Sequence, residues 1–458
     1  MTAATTTDPR PDGRAPLSRW RAMAGRALSA VAVSGLSSIG NLLLTVTVAR
    51  REPVAGLGQF AIAFSCYVLG TGLARAAVTD GVLALVPGVG AVRAAAGRVV
   101  AVALVVATPA AVLGVLTGSP YLLVIAVTLP GLVVYDYTRA LSLGLGRPRL
   151  ACFQEILWTA ASGLAAVLGI AGVIGPVGVF AGWAGSAALL GAGIGYLRGY
   201  RLRPAWRQGR EQTRLALSFA GQYLVTSGSA QLVTTALAVV AGTAVVGALS
   251  AGRTALGPVT LVMATASALT LPYLARTAGA SRAVRRRAAG RLTVAMTACA
   301  LAPTLAVLLV PDRLGTRLLG ASWAAARPVM PALAVESLFA VAATVGFAGH
   351  RVARAGTRAL ALGTGLSALR VGMVLAAGAV SGARGAAYAM AAVAAVSAVA
   401  WWRSYARVLR RPAPEREPVA QPLTWAAPLV RAGRRPQRAP GRRSLSAPRR
   451  SAPDRSAG

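Results

Sequence analysis

Apolar runs of roughly twenty residues recur from about residue 29 to residue 402, separated by short polar gaps. A helix rises 1.5 Å per residue, so each run matches the ~30 Å hydrocarbon layer of a bilayer. In lipid the backbone must satisfy its own hydrogen bonds, which leaves helices or a closed barrel. The runs are long and lack the two-residue alternation of barrel strands, so helices are expected. The spacing predicts an all-α polytopic membrane protein of about twelve transmembrane helices in two six-helix lobes. The first six fall near 29–49, 57–78, 99–117, 121–144, 151–173 and 177–197; the second six near 216–243, 254–275, 292–311, 328–348, 359–379 and 385–402.

Composition agrees: 55% of the 458 residues are hydrophobic and 13% charged, with a mean hydropathy of +0.61, a combination foreign to soluble domains of this length. The formal net charge of +36 would ordinarily raise nucleic acid as a partner. Here location argues otherwise. All 48 basic residues are arginine, and most lie between apolar runs or in the tails. With the N-terminus inside, nineteen arginines fall in inner loops and seven in outer ones, which predicts cytoplasmic termini in a cell membrane. The expected partners are therefore anionic lipids at the cytoplasmic face, and not nucleic acid.

The opening "MTAATTTDPRPDGRAPLSRWR" holds no compact signal-peptide core and reads as a disordered cytoplasmic tail over 1–25. Two lobes follow, 26–197 and 215–403, joined by a basic cytoplasmic linker, "RGYRLRPAWRQGREQTR", at 198–214. Across it, the segment starting at Ser34 echoes the one starting at Ser227, as an internal duplication would. The final 404–458 is rich in Arg and Pro, cannot build a core, and reads as a second disordered tail, able to rest on anionic headgroups.

No catalytic constellation is present in this pattern. Without lysine there is no GK[ST] phosphate loop, so ATP hydrolysis by that motif is excluded. Cys66, Cys152 and Cys299 are far apart and read as small core residues, and the one histidine, His350, reads as an interfacial anchor. No enzyme activity, cofactor or metal is expected. What stands out are ionisable residues inside spans, costly in hydrocarbon and so candidates for function. Asp136 and Arg139, three apart on one helix face, can pair. Glu155 lies in the following span. Glu336 and Arg370 sit well inside their runs with no opposite charge nearby in sequence, and read either as an ion pair between helices or as groups facing a cavity. Arginines along such a cavity would hold phosphate, because the guanidinium fork matches its oxygens. Arg139, Arg253 and Arg370 are the substrate-path candidates; Glu336, Asp136 and Glu155 are the coupling or ion-pair candidates.

Four stretches carry a resemblance: "ARREPVAGLGQFAIAFSCYVLGTGLA" after the first span, "RALSLGLGRPRLA" closing the fourth, "VGALSAGRTALGPVTLVMATASALTLPYLAR" across the seventh and eighth, and "LLGASWAAARPVMPALAVESL" leading into the tenth. In that order they resemble the polysaccharide-biosynthesis flippases of the multidrug/oligosaccharidyl-lipid/polysaccharide (MOP) exporter superfamily. The resemblance implies an inverted-V bundle of two six-helix lobes that carries an isoprenoid-linked sugar to the outer leaflet, and it makes glycosyltransferases or a polymerase candidate partners. It puts Arg253 at the outer mouth of the cavity; taken alone, Arg253 reads as an interfacial anchor that keeps its helix in register, and it joins the substrate path as one of the arginine set. Two other readings are a cation-coupled multidrug exporter of the same superfamily and a non-transporting scaffold for glycan-assembly enzymes. A membrane glycosyltransferase is disfavoured, because the expected outer loops are short and carry only Glu52 and Asp312 as acids.

Overall fold

The computed structural model describes residues 15–85, 88–206 and 209–410, and every structural statement here concerns those residues. Nine segments are helical, long and apolar enough to cross a membrane: Val54–Ala84, Val89–Thr117, Pro120–Gly144, Pro148–Ile170, Pro176–Leu197, Gln212–Ala241, Arg282–Leu308, Met330–Val352 and Gly356–Val408. The last is two helices, since Ser381 and Gly382 leave helical geometry and residues on either side of them line one groove. Two further rods complete the set. One is Ala15–Arg51; the other is the pair Thr243–Ala255 and Gly257–Arg276, a single rod broken at Leu256. Among the described residues there are twelve membrane-length rods and no strand. The expected all-α, twelve-span membrane fold is therefore the one adopted.

Local sequence explains where the rods start and bend. Pro120, Pro148, Pro176, Pro258 and Pro331 sit in first turns, where an N–H would be orphaned anyway. Pro109, Pro130 and Pro303 lie inside rods and remove one ladder bond each. In the first six spans the packing is aromatic: Phe60, Phe180, Trp183 and Trp158 are buried together, with Phe180 stacked on Trp183 at 5.7 Å. In the second six it is built largely from alanine, with Ala289, Ala300, Ala332, Ala386 and Ala387 fully or nearly buried, and small residues let helices approach closely.

Three boundaries differ from expectation. The first helix begins at Ala15, so the last part of the segment expected as a disordered tail is helical; Ala, Arg, Met and Leu there are strong helix formers. Residues 1–14 lie outside the described residues, as do 411–458, while the twelfth span continues to Val408, past the expected start of the second tail at 404. The third difference matters most for function. The chain reverses between the seventh and eighth spans at Gly242 alone, with φ of 90°, and "VGALSAGRTA" is helix, not an outer loop. The linker between the halves is partly ordered: Arg201 and Ala205 donate their N–H groups to the carbonyls of Arg93 and Gly97 at 3.1 and 3.2 Å.

The two halves meet through spans one and two on one side and seven and eight on the other. Near the Gly242 end, Gly58 of the second span and Gly247 of the eighth let the backbones touch. A Cβ on Gly58 would land on the Thr243 carbonyl, and one on Gly247 would land on the Val54 carbonyl. Below that seal the helices part and leave a cavity.

Candidate functional site

The cavity measures about 470 Å³ and lies between the halves, lined by spans one, two, seven and eight with Met390 of the twelfth. Its polar lining comes from helix periodicity. Ser38, Asn41, Leu42 and Thr45 follow the i, i+3, i+4, i+7 spacing of one face of the first span, and Gln231 and Thr234 do the same on the seventh. Ser65, Ser250, Thr254 and Thr260 add hydroxyls, while Phe60 and Phe64 supply an apolar wall. Asn41 Oδ1 is buried with no protein partner. Arg253 is the one charged side chain among the described lining residues.

The position of Arg253 corrects the expectation that it marks an outer mouth. It is the eleventh residue of a helix that starts right after the Gly242 reversal, so it lies ~16 Å from that end, about the middle of a ~30 Å layer. A guanidinium there needs partners. Its Nη2 sits 3.3 Å from Met390 Sδ and 3.8 Å from Glu336 Oε2, and the side chain stays 43% exposed to the cavity. Just below it the rod breaks. Pro258 has no N–H to return to the Thr254 carbonyl, and Val259 and Thr260 donate instead to Leu256.

Glu336 is the hub of the second half. Arg370 Nη2 donates to its Oε1 at 2.6 Å, and Arg253 approaches its other oxygen, so two guanidiniums share one carboxylate. The arrangement carries one net positive charge. Of the two sequence readings of Glu336 and Arg370, the ion pair between helices is the one formed; neither lines a cavity described here, and Arg370 reaches the path only through Glu336 and Arg253.

The first half holds the reverse arrangement. Arg139 donates to Asp136 Oδ1 at 2.6 Å and to Glu155 Oε2 at 3.0 Å, so two carboxylates share one guanidinium. Tyr135 donates its hydroxyl to the same Glu155 oxygen at 3.1 Å. Glu155 is fully buried and its Oε1 has no partner. Arg139 also faces a second cavity, of about 250 Å³, lined by Ser34, Ser37, Ser38 and Arg75. Ser38 lines both cavities, so the Arg139 cavity adjoins the one that holds Arg253. Arg75 opens a π-helical turn, Arg75–Thr79, a feature often found at functional sites.

His350 is not the interfacial anchor it resembles in sequence. It is 0% exposed, with Nδ1 hydrogen-bonded to the Gly346 carbonyl at 2.8 Å and Nε2 to Ser404 Oγ at 2.9 Å. No group of His, Cys, Asp and Glu with metal-binding geometry occurs among the described residues.

No protein-family profile matches the sequence, and no curated protein sequence matches it. Solved structures do. The chain is similar, at TM-score 0.62 and 15% identity, to the inward-facing conformation of a multidrug resistance MATE family transporter of the MOP superfamily, over 83% of this chain and 99% of that one. It is similar at TM-score 0.58 and 16% identity to the MATE multidrug transporter DinF-BH, over 89% and 100% of the two chains. An outward-facing conformation of a MATE family transporter matches at TM-score 0.51 and 16% identity, over 85% and 96%. The fold is that of the MATE transporters. At this identity the likeness speaks for the fold alone.

Proposed function

We propose that the protein is a transporter that moves a phosphate-bearing, lipid-linked sugar across the cell membrane, its lipid tail in the bilayer and its headgroup in the central cavity. The observation that supports this most directly is the lining of that cavity. Among the described residues its one charge is Arg253, and around it stand the hydroxyls and amides of Ser38, Asn41, Thr45, Gln231, Thr234 and Ser250. Sugar hydroxyls cannot enter hydrocarbon unbonded, and such a lining replaces the water they lose. A guanidinium at mid-depth attracts phosphate through charge-assisted hydrogen bonds. The arginine excess in the expected inner loops supports loading at the cytoplasmic face, with both termini on that side.

A cation-coupled multidrug exporter is the second reading, favoured by the net negative Arg139–Asp136–Glu155 cluster beside the path. An organic cation, however, would have to pass Arg253. Proteoliposomes loaded with an isoprenoid-pyrophosphate oligosaccharide separate the two. Wild type is expected to move the lipid between leaflets, Arg253→Ala to lose about tenfold in rate with folded protein retained, and Arg253→Lys to keep an intermediate rate because it holds the charge without the fork. Movement of a fluorescent organic cation by wild type, with no movement of the lipid, would transfer the assignment to the exporter.

A further inference from the structure

One large cavity lies off the central path. It is a groove of about 770 Å³ between the two arms of Gly356–Val408, with no lining residue from the first half, and it holds Arg358, Arg403 and Arg407. The three arginines come from the first turn of the eleventh span and the last turns of the twelfth, so they gather at one end of the groove. Beyond them the lining is apolar, from Leu362 on one arm to Val399 and Val396 on the other. Both valines are exposed, so the groove opens outward from the bundle.

We propose that this groove binds one anionic phospholipid, with its phosphate on the three arginines and an acyl chain along the apolar floor. Length, charge and surroundings each point that way. From Arg407 to Ala395 the twelfth span rises ~18 Å, close to one leaflet of a ~30 Å hydrocarbon layer. The polar end of the groove therefore falls at headgroup level and the apolar part at chain level. Arg403 and Arg407 lie one helical turn apart, a like-charge pair that repels on a bare helix, and Arg358 adds a third positive charge. No carboxylate pairs with any of the three among the described residues. An anion from outside the described chain is the partner this cluster lacks, and in a bilayer the molecules pressed against an outward groove are lipids. Basic pockets between transmembrane helices recognise anionic headgroups in this manner. The floor is also tied to the core: Ser404, in the groove wall, holds His350 of the tenth span at 2.9 Å, so an occupied groove braces spans ten, eleven and twelve together. The inference is independent of what the central cavity carries.

The test uses the full chain in detergent with added dioleoylphosphatidylglycerol, counting bound lipid by native mass spectrometry and following the unfolding midpoint. Wild type is expected to retain one phosphatidylglycerol more tightly than dioleoylphosphatidylcholine and to unfold at a higher temperature with it. Arg403→Gln/Arg407→Gln is expected to weaken retention about tenfold and to lose the thermal gain; Arg358→Gln tests the site from the other arm should the double variant fail to fold. Arg313→Gln/Arg317→Gln, which removes the same charge from the short helix Asp312–Leu319, is expected to behave as wild type, and the basic segment after residue 410 is common to all. Equal retention by wild type and groove variants would overturn the proposal, as would equal binding of phosphatidylcholine. Displacement of the lipid by millimolar inorganic phosphate would overturn it in favour of a free-anion site.

Discussion

The two ionic clusters differ in what a single residue change would do. Glu336 is 14% exposed and serves two guanidiniums, while Arg370 reaches 2.6 Å from it. Removing one partner from such a buried pair leaves a bare charge and costs ~3–5 kcal/mol, whereas removing both costs less. Glu336→Gln and Arg370→Gln are each expected to lower the unfolding midpoint, and the double variant to be less destabilised than the sum of the singles, with a coupling of ~1–3 kcal/mol in a double-mutant cycle. Additive losses would mean the pair contributes nothing to stability. The contrast with Asp136 and Arg139 shows what was readable at this scale. Those two are local, three apart on one helix, and their pairing follows from helix geometry alone. Glu336 and Arg370 are 34 residues apart on different rods, and Glu155 joins Arg139 from the next rod; periodicity within a helix carries no information about which face of another helix it meets. The polar stripe Ser38, Asn41, Thr45 is written in the helical period of the first span, but hydroxyls and amides cost far less in an apolar run than charges and so do not by themselves mark a cavity wall.

Element by element, the apolar runs mapped onto rods with ends a few residues off, since hydrocarbon thickness dictates their length. The seventh and eighth spans were the failure. Apolar residues continue without interruption across Gly242, and a reversal made by one glycine at positive φ leaves no polar gap to see. The misplaced boundary in turn moved Arg253 from mid-depth to the surface. Its true setting gives the Leu256 break a purpose. With no N–H at Pro258, the Thr254 carbonyl, next to Arg253 in a residue that lines the cavity, lacks its i+4 donor and meets only the Leu256 N–H that caps the segment. Pro258 sits in the first turn of Gly257–Arg276, where proline itself costs little, but Pro258→Ala would supply an N–H able to bond the Thr254 carbonyl and join the two segments, a gain of about 1 kcal/mol. The variant is expected to unfold at a higher temperature and to transport more slowly, because a continuous eighth span holds Arg253 and the carbonyl more rigidly. Faster transport in the stabilised variant would show that the break serves packing and not passage.

For the molecule as a whole, the geometry describes one of the states that the proposed carrier would have to visit. The seal lies at the Gly242 end, where the backbones of spans two and eight touch through Gly58 and Gly247. The proposed transport would require that this seal open in turn, and an equilibrium between two packings can be shifted by a side chain that only one of them accommodates. Gly247→Leu is such a wedge: it cannot coexist with the Val54 carbonyl where that now lies, yet it adds only apolar surface if the helices separate. Spin labels at Val54→Cys and Thr243→Cys are expected to report a short distance in the otherwise unaltered chain and a longer one when Gly247→Leu is added, with flux reduced because the molecule no longer closes at that end. A phosphate-bearing lipid substrate that binds the closed-seal state through Arg253 is expected to restore part of the short-distance population in the wedge variant and to do nothing once Arg253→Ala is present. If the distance stays short with the wedge in place, the contact between spans two and eight is a fixed pivot, and the motion that releases the cargo has to come from spans one and seven.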